Sequence, residues 1–174
     1  MDTRSVILTF LNFLGFILVQ TLIFKNAVLF GISFAFFYVA FLLFLSFETT
    51  AIYLLLAGFF TGFVIDIFYD SLGVHSAACV LMMFGRQFWI KSITPRGGYE
   101  IGSTPTIGSL GFRWFTIYAL PLIFIHHFLL FYVEAGGFKG IFFLALGKVL
   151  ASTVFTYFTV VLYQYLFLVR KKRT

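Results

Sequence analysis

Three histidines are the residues of this sequence best suited to metal binding or proton transfer. His126 and His127 are adjacent, and His75 lies far from them along the chain. Imidazole is the commonest metal ligand in proteins. Adjacent side chains on a helix point about 100° apart, however, and neither of these histidines has a His or Glu partner at i, i+4. We therefore expect structural hydrogen bonds at all three histidines, with no metal and no cofactor.

Asp66 and Lys148 are charged residues within long apolar stretches, where a charge costs free energy. One interpretation of Asp66 is an ion or ligand site. The alternative is a structural carboxylate near the lipid headgroups, paired with Lys148 or with a helix end. We favour the structural interpretation because Asp66 lies toward the end of its stretch. Lys148 can reach the membrane surface along its aliphatic stem.

Sequence motifs of common active sites are missing from the chain. It has no GxSxG elbow, no Gly-rich phosphate loop with its lysine and no cysteine–histidine pair of known spacing. The single cysteine, Cys79, lies in an apolar stretch and cannot form an internal disulfide. The sequence therefore favours a non-enzymatic protein.

The composition requires that these residues be positioned by membrane helices. Of 174 residues, 61% are hydrophobic and 10% are charged, whereas a soluble domain is about half apolar and about a quarter charged. Apolar stretches that approach the ~20 residues of a membrane span occupy six ranges: 6–24, 32–47, 51–68, 74–90, 114–133 and 141–169. We predict an all-α integral membrane protein, 1–174, with one domain of six helices.

The distribution of Lys and Arg predicts the orientation, because cationic loops stay on the cytoplasmic side. With the N-terminus inside, nine of the 12 cations lie on the inner side, at Arg4, Arg86, Lys91, Arg96, Arg113 and Arg170–Arg173. Lys25 and Lys139 lie outside. We predict both termini inside, with the terminal basic run as a stop-transfer anchor. The net charge of +6 then fits contact with anionic lipids, with no nucleic-acid partner.

Small residues mark two candidate helix-packing faces. Gly58 and Gly62 form a GxxxG element in the third stretch, and Gly147 with Ala151 forms a similar pair in the sixth.

The polar loop 91–113 is the largest polar surface. Its Arg96, Tyr99 and Arg113 are candidates for contact with a partner, since exposed Arg and Tyr are enriched at interfaces. The alternative is that the two arginines only fix the topology at the headgroups.

Four motifs give the chain a resemblance to a known family. The segment GFFTGFVIDIFYDSLGVH (Gly58 to His75) resembles the central signature of the rod shape-determining protein MreD family. TPRGGYE at Thr94, GFRWF at Gly111 and HHFLLFYVEAGGF at His126 resemble one MreD subgroup in the same order and spacing. With six predicted spans, the resemblance covers nearly the whole chain.

Membership of that family implies a fold like the substrate-binding subunits of energy-coupling factor transporters, located in the bacterial inner membrane. It also implies a non-enzymatic role in cell-wall elongation beside MreC, RodA with its partner transpeptidase and, indirectly, MreB. The oligomeric state stays open.

Two alternatives to this scaffold remain. The first is a small-molecule-binding subunit of an energy-coupling factor-type transporter, against which the first helix offers only Gly15 in place of a small-residue docking motif. The second is a small membrane enzyme acting on lipids, which the missing motifs disfavour.

Overall fold

A computed structural model describes residues 3–100, 102–136 and 142–169, most of which are helical. The helices are α1 (Thr3–Val19), α2 (Val39–Leu43), α3 (Ala51–Tyr69), α4 (Val74–Ile93), α5 (Ile107–Leu110), α6 (Phe112–Glu134) and α7 (Phe142–Tyr163). Single π-helical turns, Gln20–Phe24 and Gln164–Leu168, continue α1 and α7. Lys139, residue 141 of the sixth predicted span and the basic run Arg170–Arg173 lie outside the described residues.

Four helical stretches are long and apolar enough to cross a membrane: Val6–Phe24, Ala51–Tyr69, Phe112–Glu134 and Leu144–Leu168. They match the first, third, fifth and sixth predicted spans. Pro121 lies inside α6 without ending it. The chain is therefore mainly helical, with four candidate membrane spans in its described part.

The second predicted span, 32–47, is not a continuous helix, and this part of the prediction was wrong. Strands β1 (Val28–Leu29) and β2 (Ser33–Phe34) form a short antiparallel hairpin, with Val28 opposite Phe34. An extended stretch and the five-residue helix α2 follow. Residues 35–43 are all buried within the protein. Irregular backbone is tolerated at membrane depth only where protein or a water-filled cavity surrounds it.

Residues 26–48, called here the internal segment, begin near the C-terminus of α3 and end shortly before its N-terminus. At one end Lys25 Nζ donates to Phe68 O, near the C-terminus of α3, at 2.7 Å. At the other end Glu48 lies just before α3 begins at Ala51. We call the end at which α1 and α3 finish the outer end, because the predicted orientation places it outside.

The fourth predicted span, 74–90, is a helix but is not among the four candidate spans. Helix α4 has 20 residues and packs against α3 and α6. It contains His75, Arg86 and Lys91, which lower its hydropathy. Arg86, counted among the inner-side cations, is 1% exposed and thus buried within the protein.

Helices α3 and α4 approach closely at two glycines. A Cβ on Gly62 would lie 2.4 Å from Ser76 Cα, and one on Gly58 would lie 3.0 Å from Cys79 O. The absence of side chains at these two positions therefore permits the contact.

The pair on α7 behaves differently. Gly147 is exposed and has no atom within 4 Å of a Cβ built on it, so its predicted packing role is not found within the described chain. The carbonyl of Ala151 instead accepts a hydrogen bond from Ser33 Oγ at 2.9 Å.

Candidate functional site

The internal segment creates a hydrogen-bonding requirement that organises the interior. Residues 35–43 in its central part are buried without a long helix to pair their backbone N–H and C=O groups, and an unpaired buried group costs free energy. Polar side chains from α1, α4, α6 and α7 supply the missing partners.

Side-chain hydroxyls of α7 accept hydrogen bonds from the backbone of the first part of the internal segment. Ser152 Oγ accepts from Phe34 N at 3.0 Å, and Thr156 Oγ1 accepts from Phe36 N at 3.0 Å. Both hydroxyls are buried. Two hydroxyls one helical turn apart thus bond the backbone N–H groups of Phe34 in β2 and of Phe36 just after it.

Gln20, at the start of the π-helical turn after α1, bonds the next part with all of its amide groups. Its Nε2 donates to Ala35 O at 3.1 Å and to Tyr69 Oη at 2.7 Å. Its Oε1 accepts from Tyr38 N at 3.3 Å. Gln20 is fully buried, and its amide connects α1, the internal segment and α3.

His127 holds Thr156 in place, and its tautomer follows from its partners. Its Nδ1 lies 2.7 Å from Ile123 O, which can only accept, so this nitrogen carries a proton. In a neutral ring its Nε2 then accepts from Thr156 Oγ1–H at 3.0 Å. The same oxygen accepts from Phe36 N, so the contacts are mutually consistent.

His75 and His126 are brought together by Tyr38. The Tyr38 hydroxyl lies 2.8 Å from His75 Nδ1 and 2.8 Å from His126 Nε2. With one proton, it donates to one ring and accepts from the other. His126 Nδ1 is buried and has no partner among the residues described.

Arg86 and Tyr118 bond the far end of the segment. Arg86 Nε donates to Tyr118 Oη at 2.7 Å, and its Nη2 donates to Leu45 O at 2.6 Å. Tyr118 Oη donates to Leu43 O at 2.9 Å. The guanidinium carbon also lies 5.9 Å from the centroid of the Tyr118 ring. The buried cation thus bonds the Leu45 carbonyl directly and the Leu43 carbonyl through the Tyr118 hydroxyl.

Asp66 caps the start of α4. Its Oδ1 accepts from Ser71 Oγ and His75 N at 2.7 and 2.9 Å, and its Oδ2 accepts from Ser76 N and Oγ at 2.9 and 2.6 Å. A carboxylate stabilises the exposed N–H groups of a first helical turn. These contacts match the structural interpretation at a helix end. The alternative pairing with exposed Lys148 does not occur.

A cavity of about 340 Å³ lies at the outer end, beside this network. Its lining combines charged, polar and aromatic side chains: Lys25, Asn26, Phe34, Phe36, Tyr69, Ser71, His75, Phe131 and Glu134, with Val74 and Leu130. His75 belongs both to the cavity wall and to the Tyr38 network. The described part of the chain contains no group of three or more His, Cys, Asp or Glu that could hold a metal.

The predicted surface residues of loop 91–113 have different environments. Arg96 and Arg113 are exposed, as expected for either interpretation. Tyr99 is half-buried and stacks on Phe47, with ring centroids 4.0 Å apart and an interplanar angle of 7°. Tyr99 therefore anchors the loop and is not a free contact residue.

Sequence reasoning selected Asp66, His126 and His127 but missed Gln20, Thr156, Tyr118 and the burial of Arg86. The available signal was the presence of polar residues inside apolar stretches. Threonine carries this signal weakly, because a threonine hydroxyl in a helix commonly bonds its own backbone.

Comparison with known proteins gives no relative: no protein-family model, no curated protein and no solved structure matches the chain.

Proposed function

We propose that the chain is a non-enzymatic scaffold subunit of the bacterial cell-wall elongation machinery, of the MreD type, with MreC as its most direct partner. RodA and its partner transpeptidase associate with this complex, and MreB is linked to it indirectly. The ordered set of motifs from Gly58 to Phe138 supports the family assignment. In this proposal α4 and the internal segment also cross the membrane, which gives six crossings with both termini inside.

The observation that carries the proposal is a fixed basic platform formed by residues 94–113, which follow α4. Tyr99 stacks on Phe47, and Trp114 contacts both rings edge-on at 5.6 and 5.7 Å. Gly102 N donates to Glu48 Oε1 at 2.9 Å, and Ile107 N donates to Gln164 Oε1 at 2.7 Å. A loop held at several points loses little conformational entropy when a partner binds.

The platform displays two cations. Arg96 and Arg113 are both exposed, and Arg is favoured at interfaces because its planar group binds carboxylates in a bidentate manner. The buried polar groups, by contrast, bond mainly to backbone of the same chain. Recognition of a partner at the surface therefore fits the arrangement better than turnover of a substrate in the interior.

Co-purification from native membranes tests this proposal. An affinity-tagged copy should recover MreC and RodA, and Arg96→Glu or Arg113→Glu should lower that recovery severalfold by charge repulsion. Lys91→Glu is the matched control, since Lys91 is an exposed cation at the end of α4. Recovery of MreC no greater than from untagged membranes would contradict the proposal.

A further inference from the structure

The outer cavity carries two opposite charges that do not pair with each other. Lys25 and Glu134 both line the cavity and are both exposed. Within the described ranges Lys25 Nζ donates its one hydrogen bond to Phe68 O, and it lies 5.6 Å from the centroid of the Tyr69 ring. Among the described residues, neither charge has an oppositely charged partner within the 4.0 Å of an ion pair. The cavity therefore offers one site for an anionic group and one for a cationic group.

Aromatic rings form one wall of the same cavity. Phe34, Phe36 and Phe131 contact one another with ring centroids 5.8 to 6.3 Å apart. Rings prefer offset or edge-to-face partners at such distances. A flat ligand ring can extend this cluster.

Two further polar groups line the cavity. His75 Nδ1 bonds Tyr38, while its Nε2 makes no hydrogen bond to any residue in the described ranges. Tyr69 Oη accepts from Gln20, which leaves its own proton available. The cavity, at about 340 Å³, falls in the size range of small-molecule sites, which are mainly apolar with a few placed polar groups.

We propose that this cavity binds a small zwitterionic aromatic molecule of the aromatic α-amino acid class. Lys25 bonds its carboxylate, Glu134 bonds its ammonium group, and the ring packs on Phe34, Phe36 and Phe131. The centroid of the Phe36 ring lies 5.4 Å from that of the His75 ring and 6.1 Å from that of the His126 ring. The ligand thus adjoins the buried network that fixes the internal segment. The inference is independent of the scaffold proposal, because binding is measured on the purified chain.

Equilibrium dialysis of radiolabelled L-tryptophan against the full chain in lipid nanodiscs tests the proposal, with empty nanodiscs as background. Tryptamine, which lacks the carboxylate, and indole-3-propionate, which lacks the ammonium group, serve as competitors. We expect each to bind about tenfold or more weakly than tryptophan, the effect of losing one charge-assisted hydrogen bond.

Variants assign each charge to its partner. Lys25→Gln should weaken tryptophan binding about tenfold and abolish its advantage over tryptamine. Glu134→Gln should also weaken tryptophan binding about tenfold, and it should abolish the advantage of tryptophan over indole-3-propionate. Lys91→Gln is the control, because Lys91 lies at the end of α4 that is remote from the cavity. It should leave tryptophan binding unchanged. Absence of tryptophan binding to the wild-type protein, or binding that neither cavity variant changes, would overturn the proposal.

Discussion

Thr156 shows how a single hydroxyl can determine backbone structure inside a membrane protein. Its oxygen accepts from Phe36 N and its proton goes to His127 Nε2, while Phe34 O lies 3.4 Å away. His127, a candidate site residue in the sequence, thus orients Thr156, which was not a candidate. Side-chain chemistry at one residue therefore depends on its neighbour on α6.

We expect Thr156→Val to destabilise the protein by about 1–3 kcal/mol, because it leaves Phe36 N buried without an acceptor. Denaturation of the reconstituted protein measures the change. Thr21→Val is the matched control, since the Thr21 hydroxyl donates to Ile17 O of its own helix, whose carbonyl keeps its helical partner. Equal losses for the two variants would contradict the role given to Thr156.

Part of the buried hydrogen-bond network could be predicted from the residue types in the sequence. Histidines and an aspartate in apolar stretches predicted buried hydrogen bonds, and the structure places such bonds at His75, His126, His127 and Asp66. The side-chain partners of the three histidines could not be predicted, because Tyr38 and Thr156 lie far from them in the chain. Pairing of distant residues depends on the packing of helices, which periodicity alone does not determine.

At the scale of elements, the internal segment explains the largest error of the sequence analysis. Residues 32–47 are apolar enough to resemble a lipid-facing helix. The structure surrounds residues 35–43 with protein, and apolar side chains suit either environment. Two features of the sequence indicate that this stretch is not a lipid-facing helix. The stretch is short for a membrane span, and it follows Gly31, which has a φ of +71° in the structure.

The contact of α3 with α4 gives a prediction at the same scale. Gly62→Leu should cost about 2 kcal/mol or more, because its side chain would overlap the Ser76 backbone. Gly58→Leu, facing Cys79 O and the flexible Met83, should cost less. Thermal denaturation compares them with Gly147→Leu, which enters open space. A Gly147 variant as unstable as the Gly62 variant would contradict this packing.

At the scale of the whole molecule, the predicted orientation places the cavity and the platform on opposite sides of the membrane. We predict that Leu72→Cys, fully exposed between α3 and α4, reacts with an impermeant thiol reagent in intact cells. Ser109→Cys, exposed in the platform loop, should react only after permeabilisation. The reverse labelling pattern would invert the proposed orientation.

The scaffold proposal makes the chain a rigid membrane body that acts through its surface. Its interior polar groups hold the internal segment, and its basic platform faces the predicted cytoplasmic side. A transporter subunit would instead depend on the outer cavity for the uptake of a small molecule. These two roles predict different consequences when the protein is lost.

Depletion of the chain in its native host is the most direct test of the scaffold role. The account predicts rounded or widened cells in which MreC and RodA are mislocalised, while uptake of small molecules is unchanged. Intact cell shape together with loss of uptake of one small molecule would contradict it.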